Sequence, residues 1–304
     1  MLEVKSLERS YEEVKALKGV SFKVENGIIF GLLGPNGAGK TTTFKIVSTL
    51  LNPDNGEVFW EGKNIFENKK WWKKKMGYVP QELAIYNELT GLENCILMAE
   101  LYGLSGSDAK KKSVYLLERI GLKDKVNHKV KTYSGGMKRR LNLIMGLIHN
   151  PEVILLDEPT AGIDVQTKVK IYDFIKDLVK EGKTILYTTH MLKEAEELFD
   201  IVGIIDNGVL KAIGSVDKLI EEYAPSVLLE LRLKNMEKHI DFLSSLGEFN
   251  GETGFLKLNV PSQSDIAGII EKLNSKGIII ENMVIKGASL ETVFLNLTGR
   301  ELRD

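Results

Sequence analysis

One stretch constrains this chain more than any other. Gly34-Pro35-Asn36-Gly37-Ala38-Gly39-Lys40-Thr41 follows directly on the apolar run Ile28-Ile29-Phe30-Gly31-Leu32-Leu33. A short apolar run closed by glycines predicts a buried strand, and the residues from near Lys40 to about Leu51 predict a helix. The glycines let the backbone curl until several N–H groups converge on one concavity, and the helix N-terminus adds the positive end of its dipole. Lys40 supplies a full charge for β- and γ-phosphates, and the Thr41 hydroxyl can ligate Mg²⁺. Strand, loop and helix stand in the order the motif requires, so the sequence predicts a nucleoside triphosphate site.

At 304 residues the chain has room for roughly two domains. A formal net charge of -1 gives no global field to recruit nucleic acid or an anionic membrane, so no nucleic acid partner is expected. Cys95 is the single cysteine, which excludes an intramolecular disulfide. The opening Met1-Leu2-Glu3-Val4-Lys5 lacks the apolar core of a signal peptide, and no stretch approaches the roughly 18 apolar residues of a membrane span. If the protein works at a membrane, another chain does the spanning.

The first 220 residues alternate strand and helix signals, which favours a largely parallel sheet with helices on its faces. Val153-Ile154-Leu155-Leu156 and Thr184-Ile185-Leu186-Tyr187-Thr188-Thr189 read as buried strands, and 19–24 as a half-buried one. Asp206-Asn207-Gly208 between apolar segments 201–205 and 209–213 is a hairpin signal. Between about Leu89 and Leu147 the spacing turns helical, with Leu92, Ile96 and Ala99, then Val114, Leu117 and Ile120, on common faces. That block reads as a helical insert.

Composition shifts near Pro225. Beyond it the pattern predicts strand 227–233, helix 236–246, strand 248–250, strand 255–260, helix 264–275 and strand 278–285, with a last helix around 290–297. The order βαββαβ is that of a ferredoxin-like sandwich. No catalytic constellation is found there, and its one histidine, His239, reads as a surface residue.

Four further elements accompany the phosphate loop. Asp157 closes a buried strand, where a carboxylate can hold Mg²⁺ or its waters, and Glu158 points the other way, within reach of an attacking water. In Tyr133-Ser134-Gly135-Gly136-Met137-Lys138-Arg139-Arg140-Leu141 a serine caps a helix through two glycines, a second anion-ready N-terminus with basic residues one turn inside. Tyr78-Val79-Pro80-Gln81 ends a strand on a polar amide, and His190 follows another strand end. By contrast, Lys69-Lys70-Trp71-Trp72-Lys73-Lys74-Lys75 reads as a solvated face with its tryptophans tucked inward rather than a nucleic-acid patch.

In this order the elements resemble the nucleotide-binding subunit of ABC transporters, over the whole chain. Gly34, Pro35, Asn36, Gly37, Ala38, Gly39, Lys40, Thr41 and Thr42 match the phosphate loop, and Gln81 the Q-loop. Tyr133, Ser134, Gly135, Gly136 and Met137 match the signature, and Asp157 and Glu158 close the second nucleotide strand. Ala161-Gly162-Ile163-Asp164 stands at the D-loop, His190 at the switch histidine, and Tyr11 where the family stacks a ring on adenine. Tyr133 and Met137 depart from the commoner leucine and glutamine, and Ala161 and Ile163 from serine and leucine. The short spacing from Gln81 to the signature, the small C-terminal domain and the closing run Ser289-Leu290-Glu291-Thr292-Val293-Phe294-Leu295-Asn296-Leu297-Thr298-Gly299-Arg300 resemble the ABC-2 type exporter ATPases, which serve drug, lipid-oligosaccharide or sodium efflux.

The resemblance implies an α/β fold: an ABC-type P-loop NTPase core over 1–220, with a helical subdomain at about 85–150, and an α+β accessory domain over 221–304. It implies ATP hydrolysis, with Lys40 neutralising phosphate charge, Thr41, Asp157 and Gln81 holding Mg²⁺, Glu158 orienting the water and His190 contacting the γ-phosphate. It implies that Ser134, Gly135 and Gly136 of one chain close on the phosphate loop of a second subunit, homodimer or heterodimer. An integral-membrane permease would hold the protein at the cytoplasmic face of the membrane. An importer ATPase or a soluble non-transport ATPase are the alternatives. A chromosome-structure ATPase would need a long heptad insert and a translation ATPase a second cassette, and neither is present.

Overall fold

The computed structural model describes every residue except 225, 237, 262, 263, 288 and 300–304. Pro225 and Arg300 therefore lie outside the described residues. The chain divides into two compact units, Met1–Ser215 and a second from Val216 onward.

The first unit opens with β1 (Leu2–Tyr11) and β2 (Val14–Val24), an antiparallel pair, then β3 (Ile29–Leu33) and α1 (Lys40–Val47). Next come β4 (Asn55–Trp60), β5 (Lys63–Asn64), α2 (Lys69–Lys75) and β6 (Met76–Val79). The helical insert holds α3 (Gly91–Leu101), α4 (Gly106–Arg119) and α5 (Gly135–Met145). The unit finishes with β7 (Val153–Asp157), α6 (Val165–Lys180), β8 (Thr184–Thr189), α7 (Leu192–Leu198), β9 (Ile201–Asp206) and β10 (Val209–Gly214).

Two sheets result. One is antiparallel in the order β2-β1-β4-β5, and the other runs β10-β9-β3-β8-β7-β6, parallel except for β10. Strands β3, β7 and β8 are buried at every position, which is why they read as unbroken apolar runs rather than alternating ones. A shared core joins the sheets, and in it Phe22 stacks on Phe30 with ring centroids 4.8 Å apart. Trp72 is fully buried and its indole N–H donates to Val47 O at 2.8 Å, while Lys69, Lys70, Lys73 and Lys74 stay exposed. The basic run is a solvated helix face, as expected.

Local chemistry sets the boundaries. α1 stops at Val47, short of Leu51, because Thr49 turns to φ 60° and the N–H groups of Leu50 and Leu51 both reach back to Lys45 O at 3.0 Å. α3 starts on a capping box: Thr90 Oγ1 accepts from Glu93 N–H at 3.1 Å, and the Glu93 carboxylate accepts from Thr90 N–H at 2.7 Å. The β9–β10 hairpin turns on Asn207 and Gly208, both at positive φ, as a type I′ turn needs.

The second unit contains α8 (Val216–Tyr223), β11 (Val227–Lys234), α9 (Ile240–Leu246), β12 (Glu248–Asn250), β13 (Phe255–Val260), α10 (Asp265–Ser275), β14 (Ile279–Lys286) and α11 (Leu290–Thr298). Its sheet runs β12-β13-β11-β14, antiparallel throughout, which is the split βαββαβ order of a ferredoxin-like sandwich. Leu229, Leu231 and Leu233 alternate into its core with Leu256, Leu258 and Val260. α8 belongs here, whereas the sequence placed the division after residue 220: its Tyr223 carbonyl accepts from the Asn296 amide of α11 at 2.7 Å.

Candidate nucleotide site

Five of the residues and segments singled out in the sequence gather at the carboxyl ends of neighbouring parallel strands, where open α/β sheets place their ligands. The phosphate loop leaves β3, Gln81 follows β6, Asp157 and Glu158 end β7, and His190 follows β8. Two glycines are required by contact. A Cβ on Gly34 would lie 2.2 Å from Ile205 O, and one on Gly39, which sits at φ 109°, would lie 2.7 Å from Leu17 Cδ2. The loop thus keeps its backbone against the strands below, leaving its N–H groups toward a cavity of about 450 Å³ lined by Tyr11, Asn36, Gly37, Lys40, Thr41 and Glu158 among others.

Lys40 is buried, and its ammonium donates to Gly34 O at 2.7 Å and Pro35 O at 3.1 Å. It also lies 3.3 Å from Glu158 Oε1. Burial pulls its pKa down, against the opposing pull of the Glu158 and Asp157 charges. Glu158 is the hub. Its other oxygen accepts from Gln81 Nε2 at 3.2 Å and lies 3.1 Å from His190 Nδ1, close but not aligned as a hydrogen bond. Catalytic contacts of this kind commonly tighten when substrate binds. Glu158 also holds φ 44°, a left-handed backbone that a glutamate adopts only where surroundings impose it. Its N–H donates to Thr188 O at 3.2 Å and to Thr188 Oγ1 at 3.0 Å.

Asp157, one residue earlier, is buried as well. It accepts from Thr188 Oγ1 at 2.6 Å, Thr41 Oγ1 at 3.3 Å and Tyr78 OH at 3.4 Å. Burial raises its pKa, partly offset by the Thr188 and Thr41 hydrogen bonds. A carboxylate and a hydroxyl meeting over a phosphate loop form a hard-oxygen donor set that suits Mg²⁺, an ion usually held by one or two carboxylates with phosphates and water completing its shell.

Tyr11 is 42% exposed at the cavity wall, and the Arg9 guanidinium stands 5.4 Å from its ring centroid. The signature residues are not brought to this cavity: among the described residues, Ser134, Gly135 and Gly136 are not in its wall. Ser134 caps α5, accepting from Met137 N–H at 3.3 Å, and it and Gly135 are exposed. Tyr133 is buried, and its hydroxyl donates to Lys125 O at 2.6 Å over Gly91, where a Cβ would clash.

Arg139 and Arg140, one turn inside α5, are taken up by main-chain carbonyls. Arg139 donates to Gln81 O at 2.6 Å and Ala161 O at 3.4 Å, and Arg140 to Ile120 O at 2.8 Å and Gly121 O at 3.1 Å. Backbone carbonyls that helices and strands leave unpaired claim both guanidiniums. Arg139 therefore ties the segment after Gln81 to that at Ala161, a contact with no sequence signal because its partners are main-chain atoms. Thr188 and Tyr78, which hold Asp157 and Glu158, read in the sequence only as strand residues.

The model of the ABC transporter family matches residues 17–161. The chain is similar over its whole length to the linearmycin resistance ATP-binding protein of Bacillus subtilis (strain 168), at 37% identity over 100% of both chains. It shares 35% identity with the daunorubicin resistance ATP-binding protein of Streptomyces coeruleorubidus, over 99% of this chain and 96% of that one. It shares 35% with the Nod factor export ATP-binding protein I of Burkholderia thailandensis, over 100% and 98%. Among solved structures, a dimeric ATP-binding cassette in a post-hydrolysis state with ADP and Pi superposes with a TM-score of 0.65 at 29% identity, over 71% of this chain and 98% of that one. With phosphate loop, signature and second nucleotide strand in place and full-length relatives at this identity, the chain belongs to the ATP-binding subunits of the ABC transporters, a family of ATPases.

Proposed function

We propose that this subunit powers ABC-2 type export through a separate integral-membrane permease, hydrolysing ATP at the site built around Glu158. Relatives whose names specify drug resistance and export support the direction of transport. Among the described residues no helix is long and apolar enough to cross a membrane, so transport needs another chain to form the path. That permease would hold the protein at the cytoplasmic face, with its coupling segment received by the helical insert between Gln81 and Gly106.

The observation that carries the reading is the position of Glu158 between Lys40, Gln81 and His190. Entering β- and γ-phosphates would draw Lys40 away from Glu158, exchanging that ion pair for charge-assisted hydrogen bonds to phosphate. The carboxylate is then free to accept a proton from water, with Gln81 and His190 fixing its outer oxygen. Thr41, Asp157 and Gln81 would hold Mg²⁺, which neutralises charge developing on the transferred phosphoryl group. Tyr11 offers its ring to adenine, and Asn36, Gly37, Ala38, Gly39 and Thr42 complete the phosphate cradle. Ser134 and Gly135, exposed at the start of α5, would close on the phosphate loop of a second nucleotide-binding subunit.

Light scattering on Glu158→Gln tests the shared site. That variant is expected to pass from monomer to dimer with Mg-ATP but not with Mg-ADP, and adding Ser134→Arg is expected to abolish the shift. A Glu158→Gln protein that stays monomeric at saturating Mg-ATP would count against a homodimer. Isolating the native complex tests the partner: an integral-membrane chain is expected, and its absence would contradict the export reading.

A further inference from the structure

Behind the hydrolytic residues lies a buried carboxylate that the reaction scheme does not use. Glu194, in the first turn of α7, is 2% exposed, and both its oxygens are fully engaged. Oε1 accepts from the Thr160 hydroxyl and from Tyr172 OH at 2.9 Å; Oε2 accepts from Thr189 Oγ1 at 2.6 Å and Tyr187 OH at 3.1 Å. Burial, reinforced by the Glu194 charge, pushes both tyrosine hydroxyls well above their ordinary range, so they remain donors. Thr160 Oγ1 and Tyr187 OH stand 3.0 Å apart, side by side over the carboxylate that takes both their protons.

The donors come from places that matter. Thr160 stands two residues beyond Glu158, across the segment that must sustain φ 44° at Glu158. Upstream, that backbone is tied through Glu158 N–H to Thr188, and Ala161 N–H donates back to Glu158 O at 3.2 Å. Thr189 immediately precedes His190, and its hydroxyl also accepts from Met191 N–H at 3.0 Å, so the turn carrying the histidine is closed around it. One carboxylate thus fastens both segments to α6, α7 and β8. We infer that Glu194 is a positioning residue, holding Glu158 and His190 in register for hydrolysis through Thr160 and Thr189. This rests on the proposed roles of Glu158 and His190.

A fully satisfied buried polar network specifies one arrangement, which an apolar cluster of equal volume does not. Displacing a reacting group by about 1 Å costs on the order of 10²-fold in rate. Loss of one tether is accordingly expected to lower kcat about tenfold while MgATP KM stays within about twofold, because the cradle at α1 is untouched.

The test measures phosphate release and thermal melting on the full chain carrying Glu194→Gln, Thr160→Val or Thr189→Val. Gln keeps the length but exchanges one double acceptor for a donor; Val keeps the volume but removes the hydroxyl. Each is expected to show the kcat loss without the KM change, and Thr160→Ser and Thr189→Ser are expected to restore rate. In the Glu194→Gln/Thr160→Val double variant the losses should be less than multiplicative, since both cut one tether. Wild-type kcat in the Val variants, equal loss in Val and Ser variants, or a raised KM at unchanged kcat would each overturn the inference. If Glu194→Gln fails to fold, the Val and Ser pairs decide. Glu158→Gln and His190→Ala run alongside: wild-type turnover in either overturns the site assignment together with the inference. Inactive controls beside fully active Glu194 and threonine variants overturn the inference alone.

Discussion

The parallel sheet of the first unit and the antiparallel sheet of the second are built from similar apolar strands, yet among the described residues the first alone gathers the charged side chains singled out above at one edge. In β3, β7 and β8 both faces are buried, so polar side chains appear only where the strands end, and parallel order brings all those ends to one edge. Asp157, Glu158, His190 and the phosphate loop converge there because nowhere else along those strands can hold them. In β11 and β13 the burial alternates, so one face fills the core with Leu229, Leu231, Leu256 and Leu258, and the other is left to partly exposed residues. Antiparallel order sends successive strand ends to opposite edges and assembles no such cluster. The separation of work between the units follows from topology before any particular residue is considered.

Lys40→Ala should break the first region most severely. The substitution leaves Glu158 uncompensated and takes away the cation that would meet the phosphates; a loss of about 3–5 kcal/mol, the cost of breaking a buried pair, corresponds to a fall in turnover of roughly 10²- to 10⁴-fold, with strongly weakened ATP binding. Near-wild-type phosphate release would refute the phosphate-loop assignment. Next in size, Leu231→Ala should destabilise the second unit by about 2–5 kcal/mol, through lost burial and a cavity. Calorimetry should show a transition that moves down while ATP affinity does not change, and a matching loss of affinity would show that the two regions are not independent.

A smaller effect should come from ligand and pH. MgATP at a hundredfold excess over its Kd stabilises by about 2.7 kcal/mol, equivalent to roughly 5–10 °C for a unit of this size. Burial raises the Asp157 pKa, so in the free protein this group favours folding below its unfolded value of 3.8 and loses that contribution as pH rises through its higher folded value. Buried Lys40 has the opposite shift: its folded pKa is lowered, so its contribution is present above 10.5 and lost as pH falls through the folded value. At neutral pH both charges burden the free site, and MgATP relieves both. The increment due to Mg²⁺, read as the difference from ATP with chelator, should shrink as acid protonates Asp157. An increment independent of pH would argue that Asp157 does not hold the cation. The smallest effect is expected from ending the chain after Ser215, which should leave ATP affinity within a few-fold of wild type by titration. Insoluble or non-binding protein would show that the second unit is integral to the first.

The phosphate loop, the strand ends and the βαββαβ order were legible because each is a local signal: glycines at fixed spacing, apolar runs, turn residues. Even Trp72 in its lysine-rich helix could be assigned inward from composition alone. What escaped was contact between distant residues. Arg139 seeks main-chain carbonyls at Gln81 and Ala161, and Glu194 collects hydroxyls from three elements, and no spacing announces either. The left-handed backbone of Glu158 is hidden for the same reason, its N–H being bound to Thr188 on the neighbouring strand.

The most direct measurement is turnover and equilibrium MgATP binding of Glu158→Gln beside wild type. The substitution keeps side-chain size and the neighbouring Asp157 but removes the proton acceptor at the centre of Lys40, Gln81 and His190. General-base removal is worth about 10²- to 10⁴-fold, so phosphate release should fall into that range while MgATP still binds with wild-type affinity or tighter. Release within threefold of wild type, at normal affinity, would contradict Glu158 as the residue that positions the attacking water.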